Sequence, residues 1–448
     1  MRLISPNTGS KLLIAGALRF DFPTPLCFTA PVRVITAHSL AEARPALCAV
    51  QGATELGFYA AGYVAFEAAP AFDPAMRVHG AGPCIPLVWF GIYSEPSIAI
   101  KETEAGECRV SDWQPDSDYL RYQRAIAAIR DAIAAGDVYQ VNHTFRLRAQ
   151  FQGDPAALYR RLVAAQRPLY GAYVDLDDFC ILSASPELFF RRAGDEITTR
   201  PMKGTRPRGR WSEEDDQIAA DLQASAKDRA ENVMIVDLLR NDLGRIAVPG
   251  SVQVPQLFEI GRYPTVLQMT STVEARLRPK TTLDDIFAAL FPCGSVTGAP
   301  KISATRLITE LETTPRQVYC GAIGYVTPSQ EAVFNVAIRT ALLDRKTGAI
   351  EYGVGGGIVW DSTPEGEYQE AWAKAAVLTE PPPEFDLLET LRWEKGAYWL
   401  LERHMERLLS SAAYFRFAVS EDAVREALLA HSGELGPGAW RVRLCLSR

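Results

Sequence analysis

Three consecutive prolines, Pro381 to Pro383, set between Glu380 and Glu384, constrain this chain more than any other feature. Proline lacks a backbone donor and its ring clashes with the preceding turn, so the run can neither continue a helix nor enter a central strand. It reads as an extended spacer. The chain then divides into a large unit (residues 1–380), a linker (381–384) and a small unit (385–448). With 448 residues, 48% of them hydrophobic and 23% charged, there is enough apolar material for a substantial core.

Before the spacer, helical and strand patterns are mixed. Tyr119 to Ala135 has helical period and stops at Gly136, after which Val138 to Phe151 reads as a strand. Val318–Val326, Val333–Leu343 and Ile350–Trp360 are rich in β-branched and aromatic residues separated by turn chemistry, which predicts an antiparallel meander. After the spacer come two short strand candidates, helices around Leu401–Tyr414 and Ser420–Ala430, and a strand at Trp440–Leu446. So small a unit, ending on a strand edge, reads as an incomplete α/β segment.

Charge and composition narrow the partners. The net charge is −7 and the basic residues are scattered, so no stripe offers itself to a nucleic acid or an anionic membrane. The apolar run Cys84–Tyr93 contains Pro86 and is far too short to span a bilayer. The N-terminus lacks a signal-peptide pattern, and a cytoplasmic location is expected. Eight cysteines, never in CxxC spacing, argue against zinc and against a disulfide scaffold, and are expected to be reduced core residues.

Several residues carry candidate chemistry. The helix Lys227–Leu239 puts Asp228 and Glu231 on one face, and Pro364–Leu378 does the same for Glu367, Glu370 and Lys374. Two such faces brought together would hold Mg²⁺, which takes one or two carboxylates and completes its shell with water and substrate oxygen. Either face alone is equally a solvated acidic surface. Lys203 lies between turns and beside Arg200, Arg206 and Arg208, whose charge disfavours the ammonium and frees a nucleophilic amine. The alternative is a surface lysine in a basic loop. Glu187 follows an apolar strand and precedes aromatic residues, a setting for a general acid or for a plain strand-end carboxylate. Gly353 and the run Gly355, Gly356 and Gly357 interrupt a strong strand and open its amides to a ligand carboxylate. The loop Gly294–Lys301 suits an anion at a helix start but lacks P-loop spacing, so no nucleotide is indicated. Arg339 either forks onto a carboxylate or forms an ion pair.

Taken in order, GDVYQVN (136–142), SASPELFF, TTRPMKGTRPRG, KDRAENVMIVDLLRNDLGR, FPCGSVTGAPK, YCGAIGY, VAIRT and GVGGGIVWDSTPEGEYQEAWAK resemble the chorismate-utilising enzymes. That family includes anthranilate, aminodeoxychorismate, isochorismate and salicylate synthases. The resemblance implies an α+β fold with two packed, mainly antiparallel sheets flanked by helices and the active site between them. It implies Mg²⁺ held by Glu231 and Glu370, with Asp228 and Glu367 in support. It implies substrate contacts from Arg339, Tyr319, Thr297, Lys374 and the strand glycines Gly355, Gly356 and Gly357. Lys203 would attack chorismate C2 while Glu187 protonates the departing C4 hydroxyl, and ammonia would then attack C4 and expel the lysine.

Two positions choose among the members. Isochorismate and salicylate synthases activate water with a lysine where this chain has Gln140, and anthranilate synthases usually carry alanine where aminodeoxychorismate synthases, like this chain, carry lysine (Lys203). The resemblance thus favours amination at C4 to 4-amino-4-deoxychorismate, on the way to 4-aminobenzoate and folate. One departure stands out: Gln268 replaces a histidine of many relatives and cannot exchange protons near neutral pH. No amidotransferase motif with a cysteine nucleophile is present, so ammonia is expected from solution or from a separate glutamine amidotransferase subunit.

The small unit, from Phe385 through Leu408, resembles the opening of a fold-type IV pyridoxal phosphate (PLP) enzyme such as aminodeoxychorismate lyase. Its Schiff-base lysine would lie beyond Arg448, so neither PLP nor lyase activity is expected, and Arg407 is a candidate for an uncompleted phosphate site. The alternative is a helical extension packed on the large unit. Two rival readings stand for the whole chain. Anthranilate synthase is distinguished by its fluorescent product and by Lys203; a non-catalytic subunit binding chorismate or a glutaminase is opposed by Glu187, Lys203, Glu231 and Glu370.

Overall fold

The computed structural model describes residues 2–4, 17–80, 85–97, 106–263, 266–379, 385–415 and 417–447. The predicted linker and Cys84 lie outside them. Two ten-stranded sheets dominate the fold. One is built around the paired strands Gln140–Gly153 and Ala349–Ile358 and continues through Thr340–Asp344, Phe179–Ser185, Tyr170–Asp175 and Leu18–Asp21 to Leu26–Phe28. We call it the glycine-strand sheet. The other, the lysine-strand sheet, starts at Met202–Pro207 and passes through Val266–Arg276, Glu196–Arg200, Leu188–Ala193, Ala332–Val336, Ala322–Val326, Tyr59–Val64 and Val88–Tyr93 to Arg33–Ala37. Their named pairings are antiparallel, which lets one sheet carry both a packed face and a partly wet one.

The sheets face each other across a core of Leu18, Phe20, Val174, Ile181 and Leu342 from one and Tyr63, Leu188, Ile323 and Tyr325 from the other. Helices cover both outer faces. Tyr119–Ala134, Pro155–Gln166 and Pro364–Ala375 bury Tyr122, Ile126, Leu158, Leu162 and Ala371 on the glycine-strand sheet. Leu40–Glu55, Ala226–Gly244 and Leu283–Leu290 bury Leu47, Ile235, Leu239 and Phe287 on the lysine-strand sheet. The result is the expected α+β architecture of two packed antiparallel sheets flanked by helices. The two carboxylate-bearing helices begin where capping chemistry dictates. Ser225 Oγ accepts from the Asp228 amide at 3.3 Å, and Thr363, followed by Pro364 at the first helical position, accepts from Gly366.

The predicted meander is not a single sheet. Ala332–Val336 belongs to the lysine-strand sheet and Thr340–Asp344 to the glycine-strand sheet, with Ala337, Ile338 and Arg339 crossing between them. Strand propensity reports a half-buried pleated surface, not which sheet supplies it, so the run Val333–Leu343 reads as continuous. Arg339 turns the chain with φ +52°, a left-handed conformation uncommon for arginine. A second crossover lies beside the first. Phe179–Ser185 passes into Leu188–Ala193 through Pro186 and Glu187, where proline interrupts the ladder. The crossovers are tied together: the Ala184 amide donates to the Arg339 carbonyl at 3.0 Å and the Val336 amide to the Glu187 carbonyl at 3.1 Å.

The small unit packs helices Leu401–Phe415 and Glu421–Ser432 through Met405, Leu408, Val424 and Leu428 onto a sheet of Leu387–Glu394, Ala397–Tyr398 and Trp440–Ser447. Arg2–Ile4, from the other end of the chain, joins that sheet in parallel beside Trp440–Ser447. Among the described residues no helix is long and apolar enough to cross a membrane. The seven described cysteines are all free thiols. Cys180, Cys293 and Cys320 are buried as expected, whereas Cys48 is exposed on the outer helix Leu40–Glu55.

Candidate active site

A cavity of about 230 Å³ opens where the crossovers, the lysine strand, the glycine strand and the two acidic helices converge. Glu187, Lys203, Asp228, Glu231, Gln268, Tyr319, Arg339, Gly355, Gly356, Gly357, Glu367, Glu370 and Lys374 all line it. Residues drawn from widely separated segments thus reach one volume.

Lys203 sits on a β-bulge. Met202 pairs with Thr270 and Thr205 with Gln268, so three steps along one strand oppose two along the other, and Gly204 absorbs the extra residue at φ +87°. A bulge bends its strand and re-aims the side chain, here into the cavity. Burial pushes the Lys203 ammonium down toward the neutral amine, against the opposing pull of Glu231 and Glu187. The direction matches the sequence reading but the cause does not. The flanking arginines are neutralised, Arg200 by Glu259 at 2.6 Å, Arg206 by Asp228 at 2.6 Å and Arg208 by Asp215 at 2.7 Å.

Glu187, on its two-residue crossover, is 3% exposed, and burial raises its pKa from 4.5 to about 7 despite Ser295 and the charge of Lys203. Its Oε1 has no hydrogen-bond partner. A carboxyl held protonated near neutrality, with a free oxygen inside a cavity, is equipped to donate a proton.

The acidic helices divide their carboxylates unevenly. Asp228 is committed to Arg206, so it acts as a brace for the lysine strand. Burial raises Glu231, and burial with the neighbouring charge of Glu370 raises Glu367, which accepts from Ser362 at 2.6 Å. Glu370 is lowered by Lys374, whose amine lies 2.7 Å away and also donates to the Gly355 carbonyl at 2.9 Å. Lys374 therefore ties the acidic helix to the glycine strand.

The glycines serve close approach. A methyl group at Gly353 would meet the Tyr319 ring at 2.3 Å, and one at Gly357 would lie 2.0 Å from Gln140 Nε2 and 2.8 Å from Lys203 Nζ. One at Gly356 would point to the other side of the strand, 3.3 Å from Glu367 Oε2 and 3.4 Å from Lys374 Nζ, so that face of the strand lies against the acidic helix. Gln140 stands behind the Gly357 wall, 1% exposed, with neither amide atom hydrogen-bonded. It is not part of the cavity lining. Gln268 acts as a clamp: Nε2 donates to the Gly204 carbonyl at 2.9 Å and Oε1 accepts from Thr205 at 2.8 Å, gripping the bulge that bears Lys203. Tyr319 is buried under the Arg146 guanidinium, and Arg339 reaches the Lys374 carbonyl at 3.4 Å. Thr297 stays outside the cavity. Its hydroxyl donates to the Cys293 carbonyl at 3.0 Å, across the turn Gly294–Val296. Lys301, in the loop read as an anion site, is instead buried against Asp242 at 2.8 Å.

Asn142, Ser295 and Lys227 also line the cavity, and the sequence alone does not single them out; Arg206, read there only as a charge beside Lys203, lines it too. Lys227 precedes Asp228 on the same helix start, a hint that the spacing carries. Ser295 falls within the glycine-rich loop, and nothing local marks Asn142. The small unit keeps Arg407 on the buried Glu389, at 2.7 Å, with His404 on the same carboxylate.

The chorismate binding enzyme family matches residues 94–380, and the class IV aminotransferase family matches residues 386–448, one on each side of the proline run. Aminodeoxychorismate synthase component 1 of Salmonella typhimurium is 42% identical over 271 residues, 60% of this chain and 59% of that protein. Anthranilate synthase component 1 of Saccharolobus solfataricus is 38% identical over 275 residues, 61% of this chain and 65% of that one. The matches thus span less than two thirds of either relative. The crystal structure of anthranilate synthase component I from Streptococcus pneumoniae superposes with a TM-score of 0.70 and 27% identity, covering 84% of this chain and 95% of its own. A match that takes in every segment walling the cavity makes this chain a member of the chorismate binding enzyme family.

Proposed function

We propose that the chain converts chorismate and ammonia to 4-amino-4-deoxychorismate, with Lys203 as nucleophile and Glu187 as acid. The observation that carries the reading is the opposite displacement of these two groups in one cavity. Burial leaves Lys203 closer to a free amine and Glu187 closer to a neutral acid, so each is biased toward the form its role needs.

The chemistry balances in two displacements. Lys203 Nζ bonds to C2, the ring double bonds shift, the C4–oxygen bond breaks, and Glu187 supplies the proton with which the hydroxyl leaves as water. Ammonia then bonds to C4, the double bonds shift back, the C2–Nζ bond breaks, and the proton shed by ammonia restores Glu187. Two easier steps replace one hard one. Arg339, Tyr319 and the glycine strand at Gly355, Gly356 and Gly357 are the groups that would contact the substrate, mainly its carboxylates.

The donor set fits Mg²⁺. Glu231 and Glu370 approach from two helices, and desolvation and mutual repulsion leave Glu231 and Glu367 in want of a cation. Mg²⁺ needs only one or two protein carboxylates and would draw its other ligands from water and substrate. Bound there by Glu231 and Glu370, Mg²⁺ would offset the charge of the ring carboxylate. Ammonia is taken to come from solution or from a glutamine-hydrolysing partner, in keeping with the "component 1" of the relative's name.

The test is the product formed from chorismate, Mg²⁺ and ammonium, resolved by mass and chromatography, with Lys203→Ala alongside. Aminodeoxychorismate from the wild type, lost or diverted toward anthranilate in the variant, is the expected result. Anthranilate or isochorismate from the wild type sinks the reading.

A further inference from the structure

The strand that carries Lys203 lies at the edge of its sheet. Among the described residues its sole ladder partner is Val266–Arg276, and the bulge interrupts that pairing. An edge strand so interrupted needs fastening where it ends, at Arg208 and Gly209. The large unit supplies one fastening: buried Asp215 accepts from Arg208 Nε at 2.7 Å, from the Gly209 amide at 3.0 Å and from Arg262 at 2.8 Å. The second comes from the small unit. Tyr414, in the last turn of helix Leu401–Phe415, donates its hydroxyl to the Gly209 carbonyl, and the Arg208 guanidinium lies over its ring at 4.7 Å.

We infer that Tyr414 is a positioning residue for Lys203. Seated on Arg208 and Gly209, it lets the small unit fix the end of the lysine strand and thereby the place of the amine in the cavity. Gln268 grips the bulge itself at Gly204 and Thr205 and Tyr414 holds the strand's end at Gly209, so the stretch that follows Lys203 is fastened at two points, one by each unit. A reactive group must be held to a fraction of an ångström, and the loss of one clamp gives the strand a freedom that the chemistry registers. The inference rests on the amination reading above.

The test uses the whole chain carrying Tyr414→Ala or Tyr414→Phe, with two readouts. The first is amide exchange in the peptide Met202–Arg208; the second is steady-state amination with chorismate and ammonium. In Tyr414→Ala, exchange in that peptide should rise about tenfold while the glycine strand keeps wild-type protection. There kcat should fall about tenfold with KM for chorismate changed less than about twofold. Tyr414→Phe keeps the ring under Arg208 without the hydroxyl and should fall between. Wild-type exchange and kcat in Tyr414→Ala overturn the inference, and so does exchange that rises throughout the large unit, which is lost stability rather than lost position. If the alanine variant does not fold, the phenylalanine variant decides: faster exchange confined to the peptide supports the inference and unchanged exchange overturns it. A wild-type chain that leaves chorismate untouched sinks the amination reading instead, and exchange alone then judges Tyr414.

Discussion

At the scale of single residues, Glu187 shows how a fold gives up stability for a reactive group. Between 4.5 and about 7 the native protein holds a proton on Glu187 that the unfolded chain has lost. Stability contributed by this group is full below 4.5 and declines as pH rises through about 7. Glu187→Gln should therefore flatten that decline, read as denaturation midpoints at about pH 5 and about pH 8, while kcat falls by about a hundredfold or more. In the wild type kcat/KM should also drop as pH rises through about 7, where the acid is lost from the free protein. Lys203 is legible in the sequence as an activated amine, but its arginine neighbours offer themselves there as the cause. Charge pairing at Asp228, Glu259 and Asp215 is a three-dimensional fact, and the downward shift of the amine comes from burial first and then from the charge of Lys374, a residue far away in sequence.

Among the elements, the glycine strand Ala349–Ile358 is the most readable, since its glycines weaken a strand and need a reason. The reason differs at each position. An added methyl at Gly355 would strike the His143 carbonyl oxygen at 2.2 Å, which is backbone and cannot move aside. At Gly357 the obstacles are the ends of two flexible side chains, Gln140 and Lys203. Gly355→Ala should lower the melting temperature, by overpacking worth about 1–3 kcal/mol. Gly357→Ala should keep a near-native melting temperature and lose about a hundredfold or more in kcat, because it displaces the amine. Calorimetry and steady-state kinetics on the pair separate the two effects. What the sequence hides is the crossover at Arg339: hydrophobic alternation runs through Val333–Leu343 without revealing that the chain changes sheets there.

For the whole molecule, the cavity joins both sheets and two helices, so a ligand that fills it holds all four together. Binding confined to the native state adds about 2.7 kcal/mol when the ligand is at about a hundred times its Kd. Chorismate with Mg²⁺ should raise the melting temperature, a chelator should reverse the part owed to the metal, and Glu370→Gln should show no response to Mg²⁺. A metal-dependent rise that survives in Glu370→Gln places the ion elsewhere. The layered architecture follows from family resemblance and not from pattern, since mixed helices and strands fit many folds; convergence of Asn142 and Arg206 on the cavity leaves no trace in spacing.

The paired crossovers have a mechanical consequence. Pro186–Glu187 and Ala337–Arg339 are short covalent straps running side by side between the sheets, and hydrogen bonds bind them into one spine. The spine holds the two sheets at one spacing beside the cavity, and the short link from Phe28 to Arg33 ties them again at their far edges, so the pair behaves as a frame riveted at two places. Glu187 and Arg339 sit on one of those rivets and stay in register with each other, and the Lys374 carbonyl, 3.4 Å from Arg339, fastens the end of the acidic helix Pro364–Ala375 to the same point.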